Sequence, residues 1–71
     1  MSHAKALSAI ERQNQIIELL AEHGSVQVDD LVNQLNVSKM TVHRDLDALE
    51  ADGRLRKVHG GAALAEAAQS N

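Results

Sequence analysis

Cysteine, proline and all three aromatic residues are absent from this chain. Without cysteine there is no disulfide and no thiolate metal site, which agrees with a reducing, cytosolic setting. The whole fold must then rest on one small core, because 71 residues lie near the lower size at which packing alone holds a domain together. Without aromatic rings that core can be built only from Leu, Ile, Val, Met and Ala. A ring-stacking platform for single-stranded nucleic acid is missing too, which argues against an RNA-recognition sheet. No apolar run approaches the roughly 20 residues of a membrane span, and the N-terminus lacks the charged-then-apolar layout of a signal peptide. A soluble, cytoplasmic protein that makes no membrane contact is expected. The histidines, His3, His23, His43 and His59, are widely spread with no H-x-x-x-H spacing, and no phosphate-cradling Walker loop is present. No catalytic residue, metal site or cofactor is therefore expected, since an enzyme would need convergent titratable groups that the sequence does not show.

Basic charge is also scarce. The formal net charge is −3, against the positive balance usual in nucleic-acid-binding domains. Its distribution is uneven. Residues 1–37 carry two Lys/Arg against five Asp/Glu, whereas residues 38–60 carry five against four. Within that second stretch the acids cluster from Asp45 to Asp52, and the cations gather before and after them.

What is present organises around Leu35 to Leu46. Asn36 tolerates the left-handed backbone that closes a helix, and Ser38 is a good N-cap for the next one. A helix, a tight turn and a second helix result. In the second helix Val42, Leu46 and Leu49 fall at i, i+4 and i+7, a stripe that must be buried. At about 100° per residue Met40 and Arg44 point away from it, flanked by Lys39, His43 and Asp47. Long donor-rich side chains at a helix start suit a helix that enters a DNA groove, where the N-terminus favours phosphate and Arg pairs with guanine.

The rest of the chain supplies a scaffold. Ser8 and Glu11 form an S-x-x-E capping box, so a first helix begins at Ser8, buries Ile10, Ile16, Ile17, Leu20 and Ala21, and ends at Gly24. Ser25-Val26-Gln27-Val28 reads as a short edge strand. Asp29 is the expected N-cap of a second helix whose buried side is Leu31, Val32 and Leu35. The helix that starts at Ser38 stops near Asp52-Gly53. Arg54 to Val58, then His59-Gly60-Gly61, then Ala62 to Leu64 read as a hairpin with a glycine-rich tip. Leu55 and Val58 cannot share one face of a regular strand, so a bulge, a twist or an early end to pairing is expected. The fold class is mostly α, α+β: a winged helix-turn-helix of three helices with a small β-hairpin wing. Residues 1–7 form an N-terminal extension, 8–64 the domain, and 65–71 a tail or linker stub.

At this level the sequence resembles the DeoR-type bacterial transcription regulators. Arg12, Ile16 and Leu20 fit the first half of that family's N-terminal signature, and Ser38, Thr41, Val42, His43, Arg44, Asp45 and Leu46 fit the second. The string Val58-His59-Gly60-Gly61-Ala62 matches the family's wing. The resemblance implies a DNA-binding domain of a regulator, with double-stranded operator DNA as partner and repression of a carbohydrate-use operon as role. Two departures stand out. His43 replaces a more usual Arg, so the phosphate or base contact at that position is either lost or made to depend on pH. The C-terminal domain that binds a phosphorylated sugar in the family is absent, so the chain is expected to be the DNA-binding segment of a longer regulator, the alternative being a natural single-domain relative. The segment alone is expected to be monomeric and the full-length protein a homo-oligomer.

The expected DNA-contacting set is Ser38, Lys39, Met40, Thr41, His43, Arg44, Arg54, Arg56, Lys57, His59 and Gly60. Each has a plainer alternative. Arg44 reads a base, or it is a solvated arginine paired with Asp47 or with backbone on the side of Ala51. Lys39 touches phosphate without reading a base, and Met40 is either a contact to a thymine methyl or a partly buried filler. Ser38 and Thr41 are caps whose hydroxyls could also reach phosphate. Arg54, Arg56 and Lys57 contact phosphate from the wing or form a soluble strand surface. Gly60 and Gly61 read as turn chemistry. Asp45 is structural, accepting from an amide or pairing with a nearby arginine. The rival function is a winged helix that binds protein or dimerises, which the acidic net charge favours. Salt separates the two, because only phosphate contacts weaken steeply with ionic strength.

Overall fold

The computed structural model describes residues 8–65. The expected N-terminal extension, 1–7, and residues 66–71 of the expected tail 65–71 lie outside the described residues. The first helix, α1 (Ala9–His23), begins where the capping box places it. Ser8 Oγ accepts from the Glu11 amide at 3.2 Å, and the Ser8 amide donates to Glu11 Oε1 at 3.0 Å. It ends at Gly24, whose φ of 85° lets its amide turn back to the Leu20 carbonyl. Ile16 and Leu20 are buried and Ile17 packs beside them, but Ile10 and Ala21 are exposed, contrary to expectation. At 100° per residue these two lie roughly 100° and 120° round the helix from the Ile16–Leu20 direction.

Strand β1 (Ser25–Gln27) inserts Val26 into the core and runs straight into α2 (Val28–Leu35). Asp29 does not cap this helix. Gln27 is the N-cap residue, without a side-chain hydrogen bond, and the Val28 amide is satisfied instead by the Gly60 carbonyl at 2.8 Å. The hairpin tip thus does the work of a capping side chain, and Asp29 and Asp30 lie inside the first turn, where they complement the helix dipole. Asn36 closes α2 in the left-handed conformation, φ 58° and ψ 48°, donating to the Val32 carbonyl. Two residues later Ser38 caps α3 (Lys39–Ala51) by accepting from the Thr41 amide at 3.1 Å.

At the far end of α3 the Gly53 amide donates to Glu50 and the Arg54 amide to Leu49, a Schellman pattern that requires the positive φ of Gly53. The chain then turns into β2 (Leu55–Val58) and β3 (Gly61–Leu64). The sheet is antiparallel with β3 between β1 and β2. Pairing is regular from Leu55 opposite Leu64 to Val58 opposite Gly61, so the expected bulge or early end is absent. The conflict between Leu55 and Val58 is resolved simply: Leu55 is buried and Val58 faces outward, exposed.

All six elements feed one aliphatic cluster. It comprises Ile16 and Leu20 from α1, Val26, the Val28, Leu31 and Leu35 side of α2, the Val42, Leu46 and Leu49 stripe of α3, and Leu55 and Ala62 from the hairpin. Gly61 is not turn chemistry. A Cβ placed there would sit 1.9 Å from the Val26 carbonyl oxygen, so the approach of β3 to β1 admits no side chain.

Two substitutions test this packing. Leu46→Ala is expected to cost about 2–5 kcal/mol of stability, because a fully buried side chain leaves a cavity. Gly61→Ala is expected to cost at least about 1–3 kcal/mol through overpacking against backbone. Denaturant unfolding followed by circular dichroism measures both, and a parental transition in either variant would contradict the packing described.

Candidate nucleic-acid interface

Helix α3 has two unlike faces, and its rotation is fixed by more than apolar contact. Asp45 lies on the buried side with Val42, Leu46 and Leu49, only 3% exposed. It meets Arg12 of α1. Arg12 Nε donates to Asp45 Oδ2 at 2.5 Å and Nη2 donates to Oδ1 at 3.2 Å, a two-pronged ion pair with both side chains largely out of water. The hydrogen bond it donates to the Asp45 carboxylate raises the Arg12 guanidinium above its ordinary value, against the opposing effect of burial. The structural role expected of Asp45 therefore has a named partner. That partner was readable in principle, since Arg12, Ile16 and Leu20 are spaced i, i+4, i+8, and a cation on a buried stripe needs an acid. The halves of the sequence signature are thus joined physically.

With Asp45 inside, the opposite face of α3 is open. Lys39, Met40, His43 and Arg44 are all exposed. Arg44 makes no ion pair among the described residues; Asp47, the partner considered for it, is taken by Lys57 at 2.7 Å. Lys39 Nζ lies 3.5 Å from Asp29 Oδ1, with both side chains well exposed, a contact worth little in water and easily exchanged for phosphate. The first turn of α3 carries no acid, whereas α1 has Glu11 there and α2 has Asp29 and Asp30. Its positive dipole end is therefore left uncompensated. Ser38 and Thr41 share a hydroxyl hydrogen bond of 3.0 Å at this end.

The wing divides its cations between its two faces. Strand alternation puts Arg56 outward and Lys57 on the side of Leu55, toward the helices. Lys57 is accordingly held to α3 twice, by its ammonium to Asp47 and by its amide to Glu50 Oε2 at 3.1 Å. Arg54 before the strand, Arg56 on it and His59 at the tip are exposed without an ion-pair partner among the described residues. Gly60 completes the tip with φ 80°.

Elsewhere the surface offers less chemistry. A cleft of about 280 Å³ between α1, β1 and α2 is lined by residues including Leu19, His23, Gln27 and Asp30, and includes no residue of α3 or the hairpin. Among the described residues no group of three or more His, Cys, Asp or Glu could hold a metal ion. No helix among them is long and apolar enough to cross a membrane.

Three helices, a small antiparallel sheet and an open α3 face define a winged helix-turn-helix domain. Residues 12–68 match the DeoR-like helix-turn-helix domain family, and the chain belongs to it. The lactose phosphotransferase system repressor of Lactococcus lactis subsp. lactis is 45% identical over 53 residues, which are 75% of this chain and 21% of that protein. The HTH-type transcriptional regulator GolR of Listeria innocua is 50% identical over 54 residues, 76% of this chain and 21% of that protein. An uncharacterized HTH-type transcriptional regulator of Bacillus subtilis, FruR, is 45% identical over 53 residues, 75% of this chain and 21% of that protein. The chain thus spans about a fifth of the length of these relatives. No solved structure matches it significantly. The names of these relatives are those of transcriptional regulators and of a repressor.

The Arg12–Asp45 pair makes a specific prediction. Asp45→Ala, which strands a buried guanidinium, is expected to cost about 3–5 kcal/mol, whereas the double change Arg12→Met with Asp45→Leu is expected to cost less than the single one. Thermal unfolding of the three proteins checks this, and equal or greater loss in the double variant would refute the ion pair as the link between the helices.

Proposed function

We propose that this domain binds double-stranded operator DNA sequence-specifically, with the start of α3 in the major groove and the hairpin on flanking phosphate. The observation that carries the reading is the α3 face: Lys39, Met40, His43 and Arg44 exposed beyond an acid-free helix start, with Arg44 left without an ion-pair partner among the described residues. Arg44 reads a base, Lys39 and the Ser38 and Thr41 hydroxyls meet phosphate, and His43 adds a further polar contact. Arg54, Arg56, His59 and the Gly60 backbone meet phosphate from the wing, while Lys57 does so only by exchanging Asp47 for it. The name of one of these relatives, a repressor of a lactose phosphotransferase system, supports a role in repressing a carbohydrate-use operon in the cytoplasm. In the longer protein a phosphorylated sugar is the expected effector, bound outside this chain, and oligomerisation pairs two such domains on repeated half-sites.

The test is a titration of the isotope-labelled chain with duplex DNA at two salt concentrations, read by amide shifts. Shifts confined to residues 38–44 and 54–61 that shrink as salt rises are expected. Arg44→Ala is expected to reduce discrimination between preferred and random duplex by about 1–3 kcal/mol while leaving the melting temperature within a degree or two. Amides that stay still at low salt would overturn the proposal and favour the protein-binding alternative to which the acidic net charge points.

A further inference from the structure

Three large apolar side chains are conspicuously exposed: Ile10, Met40 and Val58. Only Met40 lies on α3. It is the second residue of that helix and 68% exposed, with Lys39 before it and His43 and Arg44 one turn beyond. Such cationic and polar surroundings do not suit a protein core as its lid. They suit the floor of a major groove, where acceptor atoms of the bases alternate with one apolar group, the thymine C5 methyl. We infer that Met40 is a specificity-determining residue that reads a thymine through apolar contact with that methyl. The inference rests on the DNA-binding reading above and deepens it.

The geometry narrows the position of the base. Met40 and Arg44 stand four residues apart on one face of the helix, about 6 Å along its axis. Base pairs are stacked about 3.4 Å apart, so the thymine lies within two base pairs of the base that Arg44 contacts. The thioether side chain is unbranched and polarizable, which lets it settle on a methyl group without a fixed rotamer. Thr41, the neighbouring residue with a methyl of its own, is half-buried and turned to Ser38, so it does not compete for the role.

The experiment selects duplexes from a randomised pool with the 71-residue chain, then replaces each thymine of the preferred sequence in turn by dU, which deletes only the methyl. One dU, within two base pairs of the guanine to which Arg44→Ala loses preference, is expected to weaken binding about fourfold, the worth of one buried methyl group. Met40→Ala is expected to lose that sensitivity and Met40→Leu to keep it, both with parental melting curves because the side chain is exposed. A preferred sequence indifferent to every dU, or equally sensitive to it in Met40→Ala, would overturn the inference while leaving DNA binding intact. A pool that enriches no sequence would overturn both.

Discussion

The ion pair between Arg12 and Asp45 is the contact on which the arrangement of this domain depends. Apolar stripes tell a helix which side to bury, but they do so loosely, because a stripe of aliphatic side chains can roll by tens of degrees with little loss of area. A forked guanidinium gripping both oxygens of a buried carboxylate cannot roll. It pins the middle of α3 to α1, and the faces of α3 follow: Val42, Leu46 and Leu49 inward, Lys39, Met40, His43 and Arg44 outward. The core has no aromatic residue to lock its packing, so a directional contact of this kind matters more than it would in a larger domain.

The same logic explains how a chain with a net charge of −3 presents a surface fit for an anion. Most of its acids near α3 are committed elsewhere. Asp45 is neutralised by Arg12, Asp47 and Glu50 hold the backbone and ammonium of Lys57, and Glu11, Asp29 and Asp30 compensate the starts of the other two helices. What remains at the start of α3 is a helix dipole with no acid in its first turn, with His43, Arg44 and a Lys39 held only by an exposed contact to Asp29 around it. Net charge summed over the chain hides this, since the sum treats a carboxylate buried in an ion pair as if it faced the solvent.

Much of this could be read directly from the residues where the cause is local. Ser8 with Glu11, Gly24, Asn36 and Ser38 act within a few positions of themselves, and each lies where its side chain or backbone freedom implies. The exposed face of α3 followed equally from the 100° spacing of Met40 and Arg44 against the Val42 stripe. Three features depend on residues distant in sequence and were not legible in the same way. The start of α2, where Asp29 was expected as the cap, lies at Val28, whose amide is met by the Gly60 carbonyl; Gly61 is required by the nearness of β1; and Lys57 is drawn inward to Asp47. Strand alternation does separate Arg56 from Lys57, and the burial of Leu55 decides which of the two faces the helices.

The hydrogen bond from the Val28 amide to the Gly60 carbonyl has a mechanical consequence. It returns the tip of the last hairpin to the point where the first helix of the helix-turn-helix pair begins, so the chain closes into a loop of elements that brace one another. The far side of that loop is closed again by Lys57 on Asp47 and Glu50. The hairpin is therefore not an arm that swings independently of α3. Tip and helix form a caliper of fixed span, and a surface that accepts one sets the position of the other.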